Sequence, residues 1–429
     1  MSGLRTTYLV ISDVTQTTGH KELQASTTCG QAVAGFDVFN PESLGTVTAR
    51  NQGPNFWGKP RNLARVRPFQ KIPVPKQLVA FFSDCGQDDG QAASYPVETR
   101  VGSRASDFEA EYTWSSGRYV MRAVVLHEYG GPDKLKFEDN VPEPQISGST
   151  VLIAAAAASV NPIDWKLRSG MRQKDSPLSF PAILGRDVSG IVRTVGTNVK
   201  HFKVGDPVLA LSNATYAELV AVNDSDVAHL PDGVDVANAA AIPLISLTGD
   251  QLVRLAAKVQ KGQVVLITGA LGSVGRAAVH TAKKIGAQVI AGVRGKELDD
   301  ARSLGVSDVL AIDDDKAIEN FRLVDAVVDT VGGDVAAKLI AKVKQSGSFG
   351  YAAVLPESAA AQNPTVKIAR VRTQPDPSKL REFADDVRDG KFVLPIGRRM
   401  PLRDAAEAHV LGEKGGIGKI ILLAPDSQV

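Results

Sequence analysis

The sequence predicts an α/β protein in which a β-rich barrel precedes a doubly wound parallel sheet, the whole preceded by an irregular N-terminal extension. Three observations carry this. Residues 264–278, VVLITGALGSVGRAA, run an apolar strand into a glycine-rich turn and a helix start. From residue 243 onward apolar strands alternate with helical patterns, the signature of a parallel sheet covered on both faces. Between Met121 and that point, short β patterns and tight glycine turns follow one another without helical periodicity.

The first 120 residues read differently. Turn formers recur, and residues 51–76 gather Arg, Lys and Pro without an acidic residue. This segment is expected to be a solvated, poorly ordered extension, or the product of a start placed upstream of Met121. Its aromatic content, with two of the three tryptophans, is high for a disordered tail. Residues 121–242 form the barrel, with strands in MRAVVLHEYG, VLIAAAAASVN, GRDVSGIVRTVG, VGDPVLAL and residues 216–222. Residues 243–374 form the doubly wound domain. Helices are predicted at 247–259, 275–285, 297–304 and 335–343, and strands at 264–268, 288–293, 309–312, 324–329 and 348–354. Residues 375–429 add helix, strand, helix and strand, with Gly390 and Gly415 as helix stops.

Composition narrows the function. A formal charge of +2 over 429 residues offers no basic stripe, so nucleic acid is not expected as the main ligand. The longest apolar run, residues 151–160, falls short of the roughly 18 residues that a membrane span requires. No export or import signal is evident at the N-terminus, and Cys29 and Cys85 alone build neither a disulfide framework nor a thiolate metal site. A soluble cytoplasmic protein is expected.

The glycines at 269, 272 and 275 follow a strand and open a helix. That geometry lets the backbone turn sharply and approach a pyrophosphate, which the free N–H groups of Ser273, Val274 and Gly275 and the positive helix end would hold. The other reading is a turn that needs glycine only for close packing of helix on sheet.

From Met121 to about Ala424 the chain resembles the zinc-free quinone oxidoreductases of the medium-chain dehydrogenase/reductase superfamily. The carrying stretches are AVVLHEYGGPDKLKFED, SVNPIDWKLRSG, PAILGRDVSGIVRTVG, FKVGDPVLA, YAELVAV, AAAIPLISLTG, VLITGALGSVGRAAVHTAKKIGA, VDTVGG and GKIIL. The resemblance implies a GroES-like barrel, a Rossmann domain binding NADPH, a C-terminal return to the barrel and a homodimer. The metal ligands of zinc-dependent relatives fall here on Asn161, Arg186 and about Leu244, a set that cannot form a tetrahedral zinc site. His127, His280 and His409 are read as structural or surface residues, so no metal is expected. At the end of the second nucleotide-domain strand, Gly292 replaces the acid usual in NAD enzymes, and Arg294 and Lys296 offer charge to a 2′-phosphate with no competing acid.

By the same resemblance Asn161 lies beside nicotinamide and substrate, where its amide could donate to a developing oxyanion; an Asn-Pro turn without a chemical role is the alternative. Asp164 and Asp187 match acidic family positions, as proton donors or as carboxylates holding a loop. Thr248 falls near the nicotinamide ring, with Gly249 and Asp250 departing from the family pattern after it. Tyr351 lies in a loop that meets the carboxamide or simply packs. The implied activity is NADPH-dependent, zinc-independent quinone reduction. Reduction of 2-enones or alkenals is the second reading, and a non-catalytic NADPH-binding protein of crystallin-like or RNA-binding type the third.

Overall fold

The computed structural model describes residues 7–17, 20–28, 79–82 and 120–425. The chain divides into two compact units, Met1–Gly117 and Arg118–Val429. In the first, strands β1 (Thr7–Thr17), β2 (His20–Thr28) and β3 (Val79–Phe82) make an antiparallel sheet in the order β2-β1-β3. No phased strand was expected in this region. The pairing of β1 on β2 shifts register between Val10 and Asp13. Such an irregularity breaks the period-2 alternation by which a strand is recognised in sequence. The basic stretch 51–76 and both cysteines lie outside the described residues.

The second unit opens with the barrel. Strands β4 (Val120–Leu126), β5 (Leu135–Pro142) and β7 (Ala182–Ile183) form one sheet, in the order β5-β4-β7. The other contains β6 (Thr150–Ser159), β8 (Asp187–Val195), β9 (Pro207–Leu211), β10 (Leu219–Asn223) and β11 (Val227–His229). Strand β6, TVLIAAAAAS, is the hub: it pairs with both β8 and β10 and is buried along most of its length. Its alanines let neighbouring layers close over both faces with little side-chain bulk. Helix α1 (Pro162–Arg168) leaves directly from the end of β6, with Pro162 at its first position, where the missing N–H costs no helical bond.

Helix α2 (Pro243–Gln251) and a π-helical turn at Leu252–Ala256 lead into the nucleotide-binding type of domain. The single helix expected over 247–259 is thus a shorter α-helix ending in a π turn. Six parallel strands follow: β12 (Val264–Thr268), β13 (Gln288–Val293), β14 (Asp308–Ala311), β15 (Val324–Asp329), β16 (Val343–Tyr351) and β17 (Lys367–Arg370). Their order, β14-β13-β12-β15-β16-β17, reverses direction between β12 and β15, where doubly wound sheets bind ligands at the carboxyl ends of their strands. Helices α3 (Ser273–Ile285), α4 (Leu298–Arg302), α5 (Asp315–Glu319) and α6 (Gly333–Ile340) connect them. Alternation divides the core: Val265 and Ile267 pack on one face, and Leu266 on the other with Ile290, Val327 and Phe349. Each such fully buried side chain contributes about 1.5–3 kcal/mol. Helix α5 and strand β17 were not anticipated. Both are short, and KIAR mixes charge into an edge strand that lacks a continuous apolar run.

The tail supplies α7 (Pro377–Arg388), β18 (Ile396–Pro401), α8 (Ala405–Lys414) and β19 (Lys419–Leu423). Strand β19 lies antiparallel to β6 and parallel to β18, so the end of the chain re-enters the barrel sheet. This return brings Lys419 to the end of β6.

At the turn before α3, Gly269 has φ +62°, a left-handed conformation that glycine adopts without cost. A Cβ on Gly275 would stand 2.0 Å from the Gly269 carbonyl oxygen. Alanine in a helix normally gains up to about 1 kcal/mol over glycine, but this contact is with backbone and costs more than that gain. Gly275→Ala should therefore lower stability by about 1–3 kcal/mol. A melting temperature equal to or above wild type in calorimetry would contradict this packing.

Candidate active site

The end of β6, the start of β8, the N-cap of α1 and the start of β19 meet at a buried polar knot. Asn161 is the N-cap of α1 and is 1% exposed. Its Nδ2 donates to the Ser159 carbonyl at 3.2 Å and to Asp187 Oδ2 at 2.7 Å, while its Oδ1 accepts from Lys419 Nζ. Lys419 Nζ also donates to the Val160 carbonyl at 3.2 Å and to Asp187 Oδ2 at 3.3 Å. Asp187 is completed by the Ser159 hydroxyl and by the backbone N–H of Leu244 at 2.6 Å. Burial lowers the affinity of Lys419 for its proton, and the carboxylates of Asp187 and Asp164 oppose that shift. The ammonium uses three donors on three acceptors, the satisfaction a buried charge requires.

A second chain of hydrogen bonds runs beneath it. Asp164 Oδ2 accepts the Asn161 backbone N–H at 2.8 Å and the Tyr216 hydroxyl at 3.0 Å. The Tyr216 oxygen lies 3.2 Å from His409 Nε2, and His409 Nδ1 lies 3.1 Å from Arg168 Nη1. A guanidinium can only donate, so Nδ1 accepts and the neutral imidazole carries its proton on Nε2, directed at Tyr216. Burial and the charge of Arg168 hold the imidazole neutral, lowering its pKa to about 3. Arg168 is anchored in turn by Glu413, at 2.7 Å, and the Gly130 carbonyl, at 3.1 Å. Burial pushes the Asp164 carboxyl up to about 7 against the pull of the Asn161 N–H and the Tyr216 hydroxyl, and its Oδ1 is buried without a partner.

The glycine turn lies at the other end of the α2–α3 pair. Gly272 is the N-cap of α3, and the N–H groups of Ser273, Val274 and Gly275 fall in the first turn, where they have no intrahelical acceptor. No acidic side chain occupies that turn, so the positive helix end is uncompensated. The turn is tied to the neighbouring strand end. The Thr268 hydroxyl donates to Asp329 Oδ1 at 2.7 Å, and the Thr330 hydroxyl to the Thr268 carbonyl at 2.7 Å. Asp329 also accepts the Gly332 N–H at 2.9 Å.

Comparison with known proteins supports this fold. Residues 147–232 match the alcohol dehydrogenase GroES-like domain and residues 304–422 the zinc-binding dehydrogenase family. Human quinone oxidoreductase is 30% identical over 334 residues, covering 72% of this chain and 99% of the human protein. The chain belongs to the quinone oxidoreductase family of the medium-chain dehydrogenases and reductases. Mouse NAD(P)H oxidoreductase RTN4IP1, a protein named as mitochondrial, is 35% identical over 250 residues, 53% of this chain and 63% of the mouse protein, so that match spans less than two thirds of its relative. The quinone oxidoreductase structure from Coxiella burnetii superposes with a TM-score of 0.65 at 29% identity, over 71% of this chain and 99% of that one. This quinone oxidoreductase family member is accordingly an NAD(P)H-dependent oxidoreductase with a small-molecule substrate. Among the described residues no helix is long and apolar enough to cross a membrane.

The structure revises several expected roles. Both amide hydrogens of Asn161 are taken up by the protein, so it holds the knot together and has none to offer a substrate. Asp164 caps α1 and receives the Tyr216 hydroxyl, consistent with a carboxyl that holds a loop. Thr248 is largely buried and shares a 2.8 Å contact with the Thr373 hydroxyl. The departures after it have packing causes: a Cβ on Gly249 would meet Ala278 N at 2.6 Å, and buried Asp250 pairs with Arg254. Arg294 does have an acid competitor, because Glu297 at the next helical turn engages its guanidinium. Lys296 stands in the same short turn, Gly295–Glu297. Tyr351 ends β16 and packs against the Phe349 side of the core. Lys419, His409 and Tyr216 were not singled out as site residues, although GKIIL and YAELV carried the resemblance; their partners lie up to 259 positions away.

Asp164 makes the knot pH-sensitive. Its folded-state pKa of about 7 lies above the ordinary value of 3.8, so the native state binds the proton more tightly than the unfolded chain. Its contribution to stability is complete at acid pH and is lost as the pH rises towards 7. Asn at this position can still accept from Tyr216 and the Asn161 N–H but does not titrate. The melting temperature of Asp164→Asn minus that of wild type should therefore climb between about pH 4 and pH 7. A difference that stays flat across that range in differential scanning fluorimetry would show that Asp164 is ionised throughout.

Proposed function

We propose that the protein reduces quinones with NADPH and without catalytic zinc. The observation that carries the zinc-independent part is the donor set around Asp187. Asn161 commits its amide to Asp187, Leu244 gives Asp187 only its backbone N–H and carries an alkyl side chain, and Arg186, next in the chain, directs its guanidinium to Asn213, while the Lys419 ammonium sits inside the cluster. A divalent cation would meet a positive charge, and none of the three ligand positions offers it a free side-chain lone pair. Without a Lewis acid to receive charge, a simple ketone is a poor substrate, whereas a conjugated acceptor spreads incoming charge to a distant oxygen.

The residues present fit a nicotinamide dinucleotide. The close approach of Gly275 to Gly269 leaves no room for a side chain in the turn, and the open N–H groups of Ser273, Val274 and Gly275 suit a pyrophosphate. Bound there, NADPH supplies the hydride. Thr248, fixed by Thr373, lines the nicotinamide end of the cleft, and Arg294 and Lys296 take the 2′-phosphate after Arg294 exchanges Glu297 for it. The contribution of the chain is to bind, orient and keep water from the reacting centre.

Purified protein should oxidise NADPH in the presence of 1,4-naphthoquinone faster than with 2-enones or saturated aldehydes, and exhaustive chelation should leave that rate unchanged. One zinc per chain by elemental analysis, with turnover lost on its removal, refutes the zinc-independent reading. Preference for an enone over every quinone tested would move the assignment to double-bond reduction.

The partner of Arg294 gives the cofactor test a second arm. Arg294→Ala should weaken NADPH binding by about tenfold and leave NADH nearly unchanged, since only the 2′-phosphate loses a charge-assisted bond and Glu297 already competes for the guanidinium. Glu297→Gln, which frees the guanidinium, should tighten NADPH. Fluorescence titration of both cofactors reads both variants, and an unchanged NADPH-to-NADH ratio in each would rule out this pair as the discriminator.

A further inference from the structure

We infer that Arg186 is the cation that receives the substrate oxygen on which negative charge develops. The inference rests on the reading above that the substrate is a conjugated carbonyl or quinone. Arg186 is half-buried and follows Gly185, whose φ of +98° and closeness to Tyr216 fix where the side chain starts: a Cβ on Gly185 would stand 2.5 Å from the Tyr216 ring. The Arg186 carbonyl accepts the Ser212 N–H at 2.9 Å, which pins the backbone from the other side. The side chain itself is poorly employed. Nη1 donates to the neutral amide of Asn213 at 2.7 Å, Nε is buried without a partner, and no ion pair forms between Arg186 and a described carboxylate.

The adjacent carboxylate cannot neutralise it. Asp187 already serves Lys419, Asn161, Ser159 and the Leu244 N–H. Lys419 and Asp187 cancel, so the guanidinium, which stays charged in proteins, leaves one positive charge uncompensated. Thr215 adds a second unemployed group, for its hydroxyl is fully buried, has no partner and lies 2.3 Å from the Cβ position of Gly185, one residue from Arg186. A buried donor without a partner costs stability, and the guanidinium of half-buried Arg186 keeps N–H donors that no described acceptor takes up.

The chemistry balances with the family's nicotinamide as reductant. Hydride addition to one end of the conjugated acceptor moves an electron pair onto its oxygen as the nicotinamide is oxidised. Arg186 holds that anion through N–H donors and gives up no proton; water protonates the oxygen. A fixed cation facing charge that grows during the reaction lowers the barrier more than it tightens substrate binding.

The test uses full-length Arg186→Gln, Arg186→Lys and Arg186→Ala with two readouts. In naphthoquinone reduction, Arg186→Gln should lower kcat by about 10- to 100-fold with KM changed little. Arg186→Lys should recover part of the loss, and added guanidinium should restore Arg186→Ala. NADPH affinity and melting temperature should stay near wild type. Independently of turnover, 4-nitrophenolate, a stable mimic of the oxyanion, should bind wild type with a visible spectral shift and bind Arg186→Gln about tenfold more weakly. Equal 4-nitrophenolate binding in wild type and Arg186→Gln overturns the inference, as does a parallel fall of activity, cofactor affinity and melting temperature, which marks a structural residue. If wild type reduces no quinone or enone but binds 4-nitrophenolate through Arg186, the cation site stands and the reaction assigned above is wrong.

Discussion

The buried pair of Lys419 and Asp187, with Asn161 between them, is the constraint on which the rest of the site depends. It joins the last strand to the end of β6 and the start of β8. Two charges removed from water lose several kcal/mol of hydration each, and only close geometry with every remaining donor occupied compensates for that. The knot meets the condition through Ser159, Val160 and the Leu244 N–H. Losing one member would leave a bare charge in the interior, so these residues stand or fall together.

From this knot the placement of the remaining groups follows. Leu244 is held at the start of α2, and α2 packs on α3 so closely that Gly249 admits no side chain. Helix α3 begins at the glycine turn. A single rigid path therefore runs from the polar knot to the first turn of α3, and a cofactor seated on that turn has its distance from the knot set by helix packing. Beneath the knot, Arg168, His409, Tyr216 and Asp164 tie α8 to α1 by directed hydrogen bonds. His409 is uncharged there, so the charge that holds α8 comes from the Arg168–Glu413 ion pair, and Trp165 stands edge-on to the imidazole ring at 6.5 Å.

On the proposed zinc-independent reading, internal side chains stand where a metal would otherwise organise the site, and that has a chemical consequence. A zinc ion would both organise the loops and polarise the substrate. Here Lys419 takes the organising role, and its three donors are consumed in doing so. On that reading polarisation needs a separate positive group, and Arg186, next to the saturated Asp187, forms no ion pair with a described carboxylate.

What the sequence determined by itself is local. The apolar run of β12 followed by glycines at 269, 272 and 275 was legible because sharp turns and close approach allow few residue types, and alternation exposed the parallel sheet because strand geometry has a fixed period. The residue types at the three metal-ligand positions, an amide, a guanidinium and an alkyl group, were likewise legible in the chain alone. The sequence did not reveal which atoms are already spent. Asn161 reads as a free amide until Lys419 and Asp187 are placed around it, and Arg294 reads as unopposed until the short turn at Gly295–Glu297 brings Glu297 onto it. Lys419, Tyr216 and His409 lie far along the chain from Asn161 and Asp164, and no local pattern marks them. Only tertiary structure decides hydrogen-bond partnership between distant segments, because donors and acceptors compete in space, and that competition leaves Asn161 occupied and Arg186 without a carboxylate partner among the described residues.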